Sequence, residues 1–146
     1  MSANPQSAAS AYQQQLQDFF ARTEDNLPVF DLIILGIGLD GHTASIFPAD
    51  RSALDTDSWV VAVRGGNPNV DRLTLSAPVL NRARCVAFLV AGDGKAEIVK
   101  KVITGKTAGL PATRVRPTQG RLIWLLDRAA AALLPQKSRR FDIQFD

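Results

Sequence analysis

The sequence predicts an α/β fold built around a mainly parallel sheet. Three observations point there. Several short runs are apolar throughout, as strands covered on both faces are. Segments with helical spacing alternate with those runs. Glycine-rich or polar turns follow the apolar runs directly, at Gly36, Arg64 and Ala91.

The elements follow in order. Ser7 to Arg22 is rich in Ala, Gln and Leu and places Tyr12, Leu16, Phe19 and Phe20 on one helical face. Asn26-Leu27-Pro28 breaks that helix. Phe30 to Leu35 reads as a strand covered on both faces, and the turn GIGLDGH begins at Gly36. Thr43 to Phe47 has room for one helical turn before Pro48, and Ala49 to Ser58 is a polar loop. Trp59 to Val63 is a strand, Gly65 to Asn69 a loop, and Arg72 to Leu75 a short strand. Ala77 to Asn81 is a short helix with Ser76 in the capping position. Cys85 to Val90 is the most strand-like run. Lys95 to Ile103 is a helix with Ala96, Val99 and Ile103 on one side and Lys100 and Lys101 on the other, and Gly105 closes it. Leu122 to Leu126 forms a last strand and Arg128 to Leu134 a last helix, stopped by Pro135. Trp59, Cys85 and Trp124 are read as core residues.

At 146 residues the chain has room for one domain, 1–146, and it is 46% hydrophobic and 21% charged. Such a composition excludes a disordered, collagen-like or coiled-coil chain. One cysteine excludes a disulfide within the chain. No apolar run approaches the roughly 20 residues of a membrane helix, and Met1 to Gln15 does not resemble a signal peptide. The expectation is a soluble, cytoplasmic protein that binds no membrane.

Charge is unevenly spread. Residues 1–58 carry a balance of −6 and residues 59–146 a balance of +9. A basic half suits an anionic partner, and a solvated surface is the plainer alternative. Aromatic residues make up 7% of the chain, and no basic stripe or nucleic-acid-binding motif is present, so no nucleic acid is expected. A small anion fits better.

In open α/β sheets, ligands sit beyond the carboxyl ends of the strands. Gly36, Gly38 and Gly41 match the dinucleotide fingerprint G-x-G-x-x-G. However, Pro48 interrupts the required helix, and no acidic residue ends the next strand, which disfavours a nicotinamide cofactor. The glycines instead allow close backbone approach and offer N–H groups to an anion. His42, the one histidine, lies just past a strand end between Gly41 and Thr43. Its imidazole can take a proton from water, and Asp40 is placed to orient it. No G-x-S-x-G is present for a serine triad. One histidine without paired cysteines makes a poor metal site. Lys95 opens a helix and suits a phosphate, with a solvated first-turn lysine as the alternative. Arg72 can grip phosphate through two bonds, with an ion pair to Asp71 as its alternative.

Together, FDLIILGIGLDGHTASIFP (30–48), RLTLSAPVLNRAR (72–84), VAFLVAGDGKAEIVKKVITG (86–105), LPATRV (110–115) and LIWLLDRAAAALL (122–134) resemble the 6-phosphogluconolactonase family. That family lies within the larger group that includes glucosamine-6-phosphate deaminases. Leu39 stands where the family commonly has Pro, and Ala49 where it often has Gly. The resemblance implies a three-layer α/β/α fold with a Rossmann-like sheet. It also implies hydrolysis of 6-phosphoglucono-1,5-lactone, a phosphosugar lactone, without metal or organic cofactor.

By position, the resemblance makes His42 the general base, supported by Asp40. Gly38, Gly41, Arg72 and Lys95 become substrate-binding residues, while Arg64, Arg114 and Arg116 receive no role. The deaminase branch continues its D-G-H turn into a segment with Asn-Glu-Pro, and here the chain reads TASIFP (43–48). The match covers the C-terminal part of the family domain. The expectation is a sheet with an uncovered apolar edge and face, completed by a missing N-terminal half or by self-association. The alternative to an enzyme is a truncated, non-catalytic sugar-phosphate-binding or assembly module of the same fold.

Overall fold

The computed structural model describes residues 4–20, 27–105, 107 and 109–135. Helix α1 spans Pro5–Phe20 and strand β1 spans Ile33–Leu35. A hairpin follows, β2 (Val60–Gly65) and β3 (Val70–Leu75), then helix α2 (Ala77–Arg82), strand β4 (Cys85–Val90), helix α3 (Ala96–Thr104) and strand β5 (Arg121–Leu126). One-turn 3-10 segments precede α3 at Asp93–Lys95 and β5 at Pro111–Arg114. Strands β1, β4 and β5 form a parallel sheet in the order β1-β4-β5. The fold is therefore mixed α/β with a mainly parallel sheet.

Burial in that sheet falls mainly on one side. Ile33, Leu35, Val86, Phe88 and Val90 alternate onto a face packed by Ile98, Val99 and Val102 of α3 and Leu80 of α2. Phe88 is fully buried and stacks on Trp124 of β5, with centroids 4.2 Å apart. The opposite face carries Leu32, Ile34, Leu89 and Leu125, all exposed. Ala87 is a buried exception on that face, so the covering of both faces is largely absent among the described residues, and the expected uncovered apolar face is present. Strand β1 is buried at Ile33 and Leu35 and open at Ile34 between them. An unbroken apolar run reports that both faces suit a dry environment, not that both have one.

Four other expectations change. The strand expected from Arg72 begins at Val70 and pairs antiparallel with β2, outside the parallel sheet. Its hairpin packs against α1 through Ala9, Trp59 and Val60. Thr43 to Phe47 forms no helical turn; Thr43 and Ile46 bridge each other as a tight loop. Ser76 holds the N-cap position of α2, but its buried hydroxyl makes no cap bond. Residues 128–134 make successive turns rather than a helix, closed mainly by bonds three residues apart, such as Leu134 N–H to Ala131 O. Trp59 is buried, whereas Cys85 and Trp124 are half-buried. The end of the first expected helix, at Arg22, lies outside the described residues. Among the described residues, no helix is long and apolar enough to cross a membrane.

Candidate active site

The carboxyl end of β1 opens into the turn Gly36–His42, which lines a cavity of about 410 Å³. Leu35, Gly36, Ile37, Gly38 and His42 come from that strand end, Ala44 from the loop after it, and Lys95 from the turn after β4. Parallel pairing of β1 with β4 makes this convergence possible, because the two carboxyl ends then lie side by side.

The turn is built around the imidazole. Asp40 Oδ1 lies 2.6 Å from His42 Nδ1 and accepts the His42 backbone N–H at 3.1 Å. Partial burial raises the Asp40 pKa, but the hydrogen bonds from the His42 backbone and ring, with the attraction of the ring's charge, outweigh it. The carboxyl therefore lies below its ordinary value. A carboxylate has no proton to donate, so it selects the tautomer with the proton on Nδ1 and the lone pair on Nε2. No partner for Nε2 is found among the described residues. The Phe47 ring packs on the imidazole at 4.9 Å between centroids.

Two glycines are required here for different reasons. A Cβ at Gly38 would collide with the His42 ring and the Asp40 carboxylate. Gly41 has φ +82 and lies against Leu110. Their N–H groups bond within the turn, Gly38 to His42 O at 2.9 Å and Gly41 to Gly38 O at 3.0 Å. Two of the amides expected to meet an anion are thus already occupied, and these two glycines contribute space. Gly38 lines the cavity; Gly41 packs behind it, its carbonyl accepting the Ala112 N–H.

Lys95 reaches back to β1. Its ammonium donates to Ile37 O at 2.7 Å and keeps two further N–H donors. Arg72 lies elsewhere. Its Nε donates to Gly65 O at 3.0 Å and one terminal nitrogen lies 3.4 Å from Pro68 O, so it braces the β2–β3 turn and does not line the His42 cavity. Asp71, its expected ion-pair partner, instead faces Arg64 at 3.4 Å. Arg114 and Arg116 line a separate cavity with Asp55 and Asn81.

Sequence reasoning missed four contributors. Thr43 is buried and donates to Gly36 O at 2.8 Å, pinning the strand end. Ala44 has φ +49, a left-handed conformation that costs a non-glycine residue about 1 kcal/mol or more. Thr74 of β3 accepts the Ser45 N–H at 3.2 Å. Asp127 accepts the Gly92 N–H through both oxygens, at 3.0 and 3.1 Å, and so holds the turn that carries Lys95. Part of the signal for Asp127 was available, since a carboxylate between an apolar strand and an alanine-rich run is a capping residue, and Asp127 also accepts the Ala130 N–H at 2.7 Å. None was available for Ala44, whose backbone angle no local pattern encodes.

Residues 1–124 match the family described as glucosamine-6-phosphate isomerases/6-phosphogluconolactonase. The chain is 44% identical to 6-phosphogluconolactonase of Rattus norvegicus over 129 residues, covering 87% of this chain and 49% of that protein. Among solved structures, the devB protein superposes with a TM-score of 0.82 at 36% identity, covering 92% of this chain and 56% of the other. The 6-phosphogluconolactonase of Leishmania guyanensis gives 0.77 at 33% identity, over 90% and 53%. The chain spans about half the length of the curated relatives it matches. It belongs to the glucosamine-6-phosphate isomerase/6-phosphogluconolactonase family.

Proposed function

We propose that this chain hydrolyses 6-phosphoglucono-1,5-lactone to 6-phosphogluconate, the lactone-opening step of the oxidative pentose phosphate pathway, in the cytoplasm. One observation carries the reading: the single imidazole, oriented by a carboxylate through Nδ1, shares a cavity with an ammonium group. In this reading Nε2 removes a proton from water as the water oxygen attacks the lactone carbonyl carbon. The tetrahedral intermediate then collapses with cleavage of the ring carbon–oxygen bond. The proton held on the imidazole passes to the departing ring oxygen, giving a hydroxyl group and a carboxylic acid that ionises. Water is the only co-reactant of the step.

Asp40 supports the imidazolium as it forms, and Lys95 supplies a point charge for the substrate's phosphate. Gly38 leaves room for the reacting groups and Gly41 shapes the turn. Arg72 takes no part in this reading, because its guanidinium braces the β2–β3 turn outside the His42 cavity.

The test is turnover of freshly prepared lactone by this chain, corrected for spontaneous hydrolysis. The expected result is a rate above background that falls about 100-fold or more in His42→Ala, the range for losing a general base. Equal rates for the two proteins would overturn the assignment of the base.

A further inference from the structure

The turn bearing His42 and the loop after it are tied to the rest of the molecule at several places, and one tie comes from the β2–β3 hairpin. Thr74 lies in β3, paired with Val61 of β2, and is 5% exposed. Its Oγ1 donates to Leu75 O at 3.1 Å and accepts the Ser45 N–H at 3.2 Å. The first bond orients the hydroxyl proton along the strand, so a lone pair is left for the amide. Ser45 directly follows Ala44, which stands at φ +49 and lines the His42 cavity. A strained non-glycine conformation persists where its surroundings over-determine it. Here Thr43 pins one side of Ala44 through Gly36 O, and Thr74 pins the other through Ser45.

We propose that Thr74 is a positioning residue for His42, a latch by which the β2–β3 hairpin holds the left-handed Ala44 and so sets the imidazole against the cavity. The role rests on the lactone-hydrolase reading for its effect on turnover, but not for its effect on the imidazole.

Two measurements on the whole chain test the latch. The chain has one histidine, so its imidazole signals in nitrogen-edited NMR need no assignment. Thr74→Val keeps the shape of the side chain and removes both bonds; Thr74→Ser keeps the hydroxyl. The expected result is a displaced or broadened imidazole signal in Thr74→Val, with Thr74→Ser close to wild type. Turnover should follow, with kcat reduced about tenfold in Thr74→Val and KM within twofold, as for a misplaced catalytic group.

Ala44→Gly added to Thr74→Val removes the backbone strain that the latch opposes, and should restore part of both the signal and kcat. A role in strand stability alone predicts no such rescue. An imidazole signal unchanged in folded Thr74→Val overturns the latch, as does a loss that Ala44→Gly leaves untouched. A displaced signal in Thr74→Val, with no lactone turnover by the wild-type chain either, upholds the latch and overturns the lactone-hydrolase reading instead.

Discussion

Two cavities of similar size differ in what their polar groups are doing. The larger, about 520 Å³, is lined by Asp55, Asn81, Arg114 and Arg116 and looks the richer in charge. Yet Arg114 is paired with Asp55 at 3.0 Å, Arg116 Nε donates to Thr113 O, and Asn81 bonds both Arg114 O and the Arg116 N–H. Those groups tie the loop bearing Asp55 and helix α2 to the segment at Pro111–Arg114. The His42 cavity has fewer polar groups, but its imidazole is anchored through one nitrogen with the other unengaged among the described residues, and its ammonium keeps donors in reserve. Anchored but unspent chemistry marks a site better than volume or charge does.

That contrast can be broken or sharpened by measurement. The largest effect is expected for His42→Ala, a loss of turnover of about 100-fold or more with the fold intact by circular dichroism. Gly38→Ala should come next, since its methyl must displace the ring or the carboxylate. Lactone turnover should fall about tenfold or more through kcat, as expected when a catalytic group is misplaced. Lys95→Met keeps the stem and removes the charge; KM for the lactone should rise about tenfold, and competitive inhibition by inorganic phosphate should weaken in step. Arg114→Ala, in the other cavity, should leave kcat/KM within about twofold while lowering the melting temperature slightly, because an exposed pair is worth roughly 0–1 kcal/mol. A large loss of turnover in Arg114→Ala would erase the distinction between the cavities.

The smallest effect concerns pH. The Asp40 carboxyl is depressed in the folded chain, so its contribution to stability is present above the unfolded-state pKa and is lost as pH falls through the folded one. The gap in melting temperature between wild type and Asp40→Asn should therefore be widest near neutrality and close in acid. A gap that widens on acidification would reverse the assigned direction.

Much of the fold was legible because it is written in short range. The strand at Cys85–Val90 is a six-residue apolar run ended by a glycine turn, and it forms with those bounds. Gly105 ends α3 at φ 65, as a helix-closing glycine does. The antiparallel pairing of β3 was not legible. The four-residue connection, 66–69, suits a hairpin, but the alternating strands elsewhere argued for parallel pairing. The turns at 128–134 were also misread, because an alanine-rich run favours a helix intrinsically while its length leaves too few bonds to repay nucleation.

The site divides in the same way. His42, Asp40 and Lys95 were recognisable as residue types directly after strands, and Gly38 as a residue with no room for a side chain. The arrest of Arg72 on its own hairpin depended on carbonyls seven and four residues away, and the Thr74 latch on an amide 29 residues away.

The sequence by itself determined the alternation of strands and helices, the glycine turn, and which side chains could do proton and phosphate chemistry. These depend on local sterics and on residue identity, which the chain carries wherever it folds. Tertiary structure alone decided that Lys95 shares a cavity with His42 while Arg72 does not, and that one sheet face is packed while the other lies largely open. Such outcomes turn on strand order and register, where groups distant in the chain compete for the same partners.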